Sequence, residues 1–120
     1  MENVIISRHP AAIEFIVETI RRQVSSGDAT AEMMAGFFQV LDGYGNVLDW
    51  GKILAVATPD DVRGKRVYGN VPLSLAALAA EVVAVEFDGP APRGVEYGLA
   101  EMRQAGARLV RYRVQKEWAW

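Results

Sequence analysis

The chain has 120 residues, a net charge of −2 and no cysteine. This length suits one domain, so we predict a single domain over residues 1–120. The absence of cysteine excludes disulfides and cysteine-based metal sites and fits a cytoplasmic protein. A protein that coats long nucleic acid usually carries a basic excess, so we expect any bound anion to be small or held by a local basic pocket. Neither a signal peptide nor a membrane-spanning run is expected.

The N-terminal segment predicts a strand followed by a helix. Asn3–Ser7 is a short apolar run, which favours a buried strand. Pro10 is suited to the first turn of a helix, where a missing N–H costs nothing. An apolar stripe at helical spacing follows it, formed by Ile13, Ile16, Val17, Ile20 and Val24.

The segment 29–57 is interpreted as a hairpin-like insertion in the domain, acting as a lid or a dimer element. Phe37–Leu41 is predicted as a strand, residues 42–46 as a turn, and Val47–Trp50 as the returning strand. Lys52–Ala57 is a further candidate strand.

The second half of the chain alternates between strand and helix patterns. The predicted elements are a strand at Lys65–Tyr68, a helix at Leu73–Ala80, a strand at Val82–Phe87, a helix marked by Val95, Leu99 and Met102, and an edge strand at Leu109–Val114. Trp118 and Trp120 are expected to pack onto the body of the domain or onto a second subunit.

This order predicts the fold class. Strands that alternate with helices favour a mainly parallel sheet with helices on both faces. With right-handed crossovers, the result is an α/β, Rossmann-like domain that carries the hairpin-like insertion.

Ligands of open α/β sheets bind at the carboxyl ends of the strands, and two turns meet this condition. One is Ser7-Arg8-His9-Pro10, and the other covers residues 69–74. Each turn leads into a predicted helix, whose N-terminal N–H groups and dipole attract anions. The sequence therefore predicts an anion site that has both turns in its walls.

The first turn supplies the candidate catalytic residues. His9 is the only histidine, and imidazole suits proton transfer near neutral pH, although a histidine in a turn can also be purely structural. Arg8 is either a bidentate phosphate clamp or a solvated surface charge. Ser7 either donates a hydrogen bond to a phosphate oxygen or caps the helix.

The second turn supplies candidate binding residues. Asn70 either contacts a base or ribose or serves only as a turn residue, and Ser74 is a ligand contact or a helix cap. The loop carboxylates Asp60, Asp61 and Asp88 lack metal-site spacing. With one histidine and no cysteine, no metal site is expected. No G-x-G-x-x-G or Walker sequence is present, so no nucleotide cofactor is expected.

Two segments resemble a small CRISPR-associated protein family found beside type III systems. One is N-V-I-I-S-R-H-P-A-A-I-E-F at residues 3–15, and the other is D-V-R-G-K-R-V-Y-G-N-V-P-L-S-L-A-A at residues 61–77. The C-terminal segment from Glu101 through Leu109 is also similar. The second turn reads Asn70-Val71-Pro72, where the family has Thr-Leu-Pro.

That family is grouped with the CARF-related ring nucleases, which cleave cyclic oligoadenylate and so switch off type III CRISPR signalling. The resemblance implies a Rossmann-like fold, a homodimer and metal-independent cleavage by the ribose 2′-hydroxyl. It implies catalytic roles for Ser7, Arg8 and His9. The ligand-binding residues that it implies are Pro10, Gly69, Asn70, Pro72 and Ser74.

Two other functions stay open at this stage. The chain could bind and sequester cyclic oligoadenylate without cleaving it, in which case His9 would matter for affinity rather than turnover. Alternatively, it could be a protein-interaction domain that docks a partner through Trp118 and Trp120.

Overall fold

A computed structural model describes residues 1–25, 27–90 and 97–119. These residues form one seven-stranded sheet and four helices. The strands are β1 (Asn3–Ile6), β2 (Thr30–Met34), β3 (Phe37–Leu41), β4 (Val47–Leu54), β5 (Arg66–Tyr68), β6 (Glu81–Phe87) and β7 (Ala107–Tyr112). The helices are α1 (Pro10–Val24), α2 (Pro59–Val62), α3 (Leu73–Ala76) and α4 (Leu99–Gln104).

The sheet is mixed, with the strand order β2-β3-β4-β1-β5-β6-β7. The central strands β4, β1, β5 and β6 are parallel. The outer pairings β2–β3, β3–β4 and β6–β7 are antiparallel. Because the parallel strands all end at the same edge, the turns after β1 and β5 lie side by side there.

The prediction of a Rossmann-like α/β fold with helices on both faces is wrong. Half of the strand pairings are antiparallel, and the 15-residue α1 is the one long helix among the described residues. The crossovers on the other face contain only the four-residue helices α2 and α3. The described chain is therefore a small α+β fold built on a mixed sheet.

The short α3 has a local physical cause. The Ala- and Leu-rich run predicted a helix to Ala80, but α3 ends at Ala76. The backbone N–H of Ala80 donates to the carbonyl of Lys65, and the Leu78 carbonyl accepts from Gly64. These bonds begin the return into β6, and β5 is only three residues long, so one helical turn spans the crossover.

The segment 29–57 contributes three strands to the sheet, β2, β3 and β4. The predicted hairpin is confirmed, since β3 and β4 pair antiparallel around the turn at residues 42–46. The two strands predicted at Val47–Trp50 and Lys52–Ala57 are instead one strand, and β2 was not predicted. The second half of β4 pairs in parallel with β1.

The apolar core has one cluster on each face of the sheet. The face below α1 contains Ile5, Phe38 and Tyr68, packed against Ile16 and Ile20 of the helix. These two helix residues belong to the predicted stripe, whereas Val24 is 39% exposed. On the other face, the smaller cluster consists of Val4, Val62, Val67, Ala76 and Val82. The long helix α1 thus covers one face of the sheet, and the turn after β1 leads directly into it.

The C-terminal aromatic residues differ from expectation. Trp118 is 83% exposed, with the Lys116 Nζ 4.2 Å from its ring centroid. The prediction that Trp118 packs onto the body of the domain is therefore wrong, and the alternative, packing onto a second subunit, stays a prediction. Trp120 and Val95 lie outside the described residues. No helix in the described ranges is long and apolar enough to cross a membrane.

Candidate functional site

A cavity of about 460 Å³ opens at the carboxyl edge of the parallel strands, between that edge, α1 and α4. The turn after β1 contributes Ser7, Arg8 and His9, and the turn after β5 contributes Gly69 and Asn70. The remaining lining residues are Ile6, Ala12, Ile16, Ala55, Val85, Phe87, Tyr97 and Met102. The cavity therefore combines an apolar floor with polar groups from both predicted turns.

The turn after β1 is held by its own hydrogen bonds. The Ser7 backbone N–H donates to the Leu54 carbonyl at 3.0 Å, which extends the parallel pairing of β1 and β4. The Ser7 hydroxyl oxygen then accepts from the His9 backbone N–H, also at 3.0 Å. Since this contact uses a lone pair, the hydroxyl hydrogen stays available for a ligand oxygen. Ser7 thus shapes the turn without using its donor.

His9 is the N-cap residue of α1, and its ring is part of the cavity wall. The imidazole stacks on Tyr97, with 4.1 Å between ring centroids. Its Nδ1 is buried and has no hydrogen-bond partner among the described residues. A buried polar atom without a partner costs free energy, so this nitrogen is a candidate for contact with a ligand or an ordered water.

Arg8 and the start of α1 supply positive potential at the cavity mouth. Arg8 is exposed, and within the described ranges it forms no ion pair. Among the described residues, no side chain caps the N-terminus of α1, and the first-turn N–H groups, which have no intrahelical acceptor, face solvent or a ligand there. Both features favour an anion beside His9.

Gly69 allows the two turns to approach closely. Its φ of +131° is in the region that favours glycine, and a Cβ at this position would collide with the carbonyl oxygen of Ile6. Its backbone N–H donates to the Val83 carbonyl. Gly69 therefore acts through the backbone, by letting the end of β5 lie directly against the end of β1.

Asn70 uses its side-chain amide to extend the sheet. Its Oδ1 accepts from the Val85 backbone N–H at 3.1 Å, and its Nδ2 donates to the Val85 carbonyl at 3.4 Å. The amide thus continues the ladder between β5 and β6 one step past the end of β5. Asn70 lies in the cavity wall, but its polar atoms are already engaged.

Three predicted binding residues do not reach this cavity. Pro10 is exposed and begins α1, where its fixed φ suits the first turn. Pro72 is the N-cap of α3, and Ser74 lies within that helix; both side chains are exposed. The structure therefore brings Ser7, Arg8, His9, Gly69 and Asn70 together and leaves these three outside the lining.

Sequence reasoning missed part of the cavity wall. Phe87 ends β6 at the same sheet edge, so its place at the end of a β-branched run was a usable signal. Tyr97 precedes α4, and nothing in its local sequence indicates that its ring meets His9. Ala55 follows β4, whose place beside β1 was not predicted.

The arrangement can bind an anionic ligand that also has an aromatic or apolar part. Arg8, the Ser7 hydroxyl and the uncapped helix start suit a phosphate, while Tyr97 and Phe87 suit a flat ring. An imidazole beside a bound phosphate can also move a proton. Among the described residues, no three histidine or acidic side chains cluster as a metal would require.

Comparisons of the chain with protein-family models, with curated proteins and with solved structures find no match. The functional argument therefore depends on the residues of the cavity and on their geometry.

Proposed function

We propose that the chain is a CRISPR-associated ring nuclease, which binds cyclic tetra-adenylate and cuts it without a metal ion. The observation that carries the proposal is the convergence of Ser7, Arg8 and His9 on one cavity at the carboxyl edge of the sheet. The resemblance of residues 3–15 to that family supports the same assignment.

The chemistry needs no nucleophile from the protein. A ribose 2′-oxygen attacks the adjacent phosphorus, an O2′–P bond forms, and the P–O5′ bond breaks. One end then carries a 2′,3′-cyclic phosphate and the other a 5′-hydroxyl. The 2′-hydroxyl proton leaves to a base, and the departing 5′-oxygen takes a proton. Catalysis consists mainly of in-line positioning and stabilisation of phosphate charge.

The cavity residues fit these tasks. Arg8 and the first-turn N–H groups of α1 would stabilise the negative charge that develops on the phosphate. The Ser7 hydroxyl would donate to a second phosphate oxygen. The His9 imidazole would accept or supply a proton, and its stacking on Tyr97 restricts the plane of the ring.

The size of the cavity supports a dimeric enzyme. A volume of about 460 Å³ lies within the usual range of about 300–1,000 Å³ for drug-sized ligands, whereas a ring of four nucleotides is larger. A twofold dimer would present two equivalent cavities to a ring that has internal symmetry of its own. We therefore propose a homodimer with cyclic oligoadenylate as its partner, acting in the cytoplasm, where type III signalling takes place.

Two substitutions separate binding from turnover. Arg8→Ala is expected to weaken ring binding by about tenfold or more, because a phosphate clamp is lost. His9→Ala is expected to bind within a few-fold of the unsubstituted protein but to cut about 10²–10⁴ times more slowly. Equilibrium binding and single-turnover cleavage of cyclic tetra-adenylate measure the two effects.

Arg113→Ala is the charge-matched control, since Arg113 is exposed and remote from the cavity lining. If His9→Ala cleaved the ring at an unchanged rate, the proposed catalytic role of His9 would be wrong. If the unsubstituted protein bound the ring tightly without cleaving it, the result would favour a sequestering protein over an enzyme.

A further inference from the structure

A second cavity, of about 290 Å³, lies on the α1 face of the sheet at the end opposite to the first. It is bounded by the last turn of α1, by the first residues of β5 and β6, and by β7. Its polar lining consists of Gln23, Arg66, Tyr68, Glu81 and Arg111. Arg66 pairs with Glu81, and Arg111 with Val83, so these strands direct both arginines to the same face.

Glu81 is the central group of this cavity. It is only 3% exposed, and it lies between two guanidinium groups. Its Oε1 is 3.3 Å from the Arg66 Nε, and its Oε2 is 3.5 Å from the Arg111 Nε. Within the described residues, Oε2 is buried and accepts no hydrogen bond. A buried carboxylate oxygen that accepts no hydrogen bond raises the free energy of the folded state unless a donor reaches it.

The charges and donors of the cavity define a ligand class. Two arginines and one carboxylate leave a net charge of +1, which favours an anion. Each arginine approaches Glu81 through Nε, so the terminal nitrogens, which carry most of the five N–H donors of a guanidinium, can bind oxyanion oxygens. The Tyr68 phenol adds a neutral donor, because burial raises its pKa.

We propose that this second cavity binds inorganic phosphate, which carries a P–OH group at neutral pH. The arginines hold the phosphate oxygens, and Glu81 Oε2 accepts the hydrogen bond of a P–OH group. The site does not depend on the proposed ring-nuclease function, because it shares no residue with the first cavity.

The carboxylate gives the site a specific selectivity. Hydrogen phosphate keeps a P–OH donor at neutral pH, whereas sulfate has none and would place an oxygen against Glu81 Oε2. Acceptor facing acceptor in a desolvated site is repulsive. Phosphate should therefore bind about tenfold or more tightly than sulfate.

The test is a titration of the Arg8→Ala variant of the 120-residue chain with potassium phosphate, in which amide NMR monitors the chemical shifts. The Arg8 substitution weakens phosphate binding at the first cavity. We expect saturable shifts at Gln23, Arg66, Glu81 and Arg111, with weaker shifts at the same positions for potassium sulfate at equal ionic strength. Methyl phosphate in a third titration tests the P–OH contact: its second pKa of about 6 leaves it mostly without a P–OH at neutral pH, so it should bind as weakly as sulfate.

Added substitutions make the test decisive. Arg111→Ala, at an exposed position, should weaken phosphate binding by about tenfold, whereas Arg108→Ala, on the opposite face of β7, should leave it unchanged. Glu81→Gln should remove or reverse the preference for phosphate over sulfate, because an amide can donate. Equal, non-saturating shifts for phosphate and sulfate, or undiminished binding in Arg111→Ala, would overturn the proposal.

Discussion

Gly69 is the residue at which the backbone geometry of the site is most restrictive. Its φ is +131°, and the carbonyl oxygen of Ile6 occupies the space of any Cβ. A side chain at this position would have to push β5 away from β1, which are paired in the sheet. The approach of the two site turns therefore depends on this one glycine.

Gly69→Ala is expected to lower the free energy of unfolding by about 2–4 kcal/mol, from backbone strain together with a steric clash. Denaturant unfolding followed by circular dichroism measures the loss. Gly45→Ala is the matched control, because Gly45 has a φ of +87° but no atom of the described residues lies within 4 Å of its Cβ position. The control should lose about 1–2 kcal/mol from strain alone. Equal losses would mean that the close approach to Ile6 is unimportant.

At the scale of single residues, the sequence predicted correctly that the turn after β1 lies at the carboxyl edge of the sheet, while the catalytic roles of its residues stay a prediction. Ser7, Arg8 and His9 follow one another at the end of a strand, so their adjacency in space is local and readable. The contact between His9 and Tyr97 joins residues far apart in the chain, and no local pattern encodes it. The hydrogen bonds between the Asn70 side chain and the Val85 backbone were not predicted either, because these residues are also distant in the chain.

At the scale of elements, Asn70 links the end of β5 to β6. Asn70→Ala is expected to lower the free energy of unfolding by about 1–2 kcal/mol, because the Val85 N–H and carbonyl lose their partners. That loss corresponds to a fall in Tm of several degrees in a domain of this size. Ser74→Ala, at an exposed position on α3, should leave Tm unchanged. A normal Tm in Asn70→Ala, combined with weakened ring binding, would assign Asn70 to the ligand instead.

The elements that sequence patterns predicted correctly are those with local signals. Pro10 and the stripe after it predicted α1, and the turn at residues 42–46 predicted the β3–β4 hairpin. The predicted helix at Leu73–Ala80 was too long, because intrinsic propensity does not include the return of the chain to β6. β2 has only a weak pattern, with mostly exposed side chains.

At the scale of the whole molecule, the strand order and the antiparallel pairing of β7 were not predicted from the sequence. The parallel pairing of β4 with β1 joins segments separated by α1, β2 and β3. The antiparallel return of β7 onto β6 is also non-local. Alternating strand and helix patterns therefore favoured a doubly covered parallel sheet, whereas the chain forms a mixed sheet with one long helix.

The proposed dimer makes a quantitative prediction about stoichiometry. One cavity of about 460 Å³ is too small for a whole cyclic tetra-adenylate, so one ring should bind per two chains. Titration calorimetry with the His9→Ala variant, which should bind without rapid cleavage, gives this ratio. Light scattering should give twice the chain mass of 13.2 kDa. One ring bound per monomer would contradict the shared site.

The most direct test of the central claim is incubation of the unsubstituted protein with cyclic tetra-adenylate and a chelator, followed by chromatography and mass analysis of the products. We expect linear adenylates that end in a 2′,3′-cyclic phosphate and a 5′-hydroxyl, formed at an undiminished rate in the chelator. An intact ring after prolonged incubation, or cleavage that stops when divalent ions are removed, would contradict a metal-independent ring nuclease built on Ser7, Arg8 and His9.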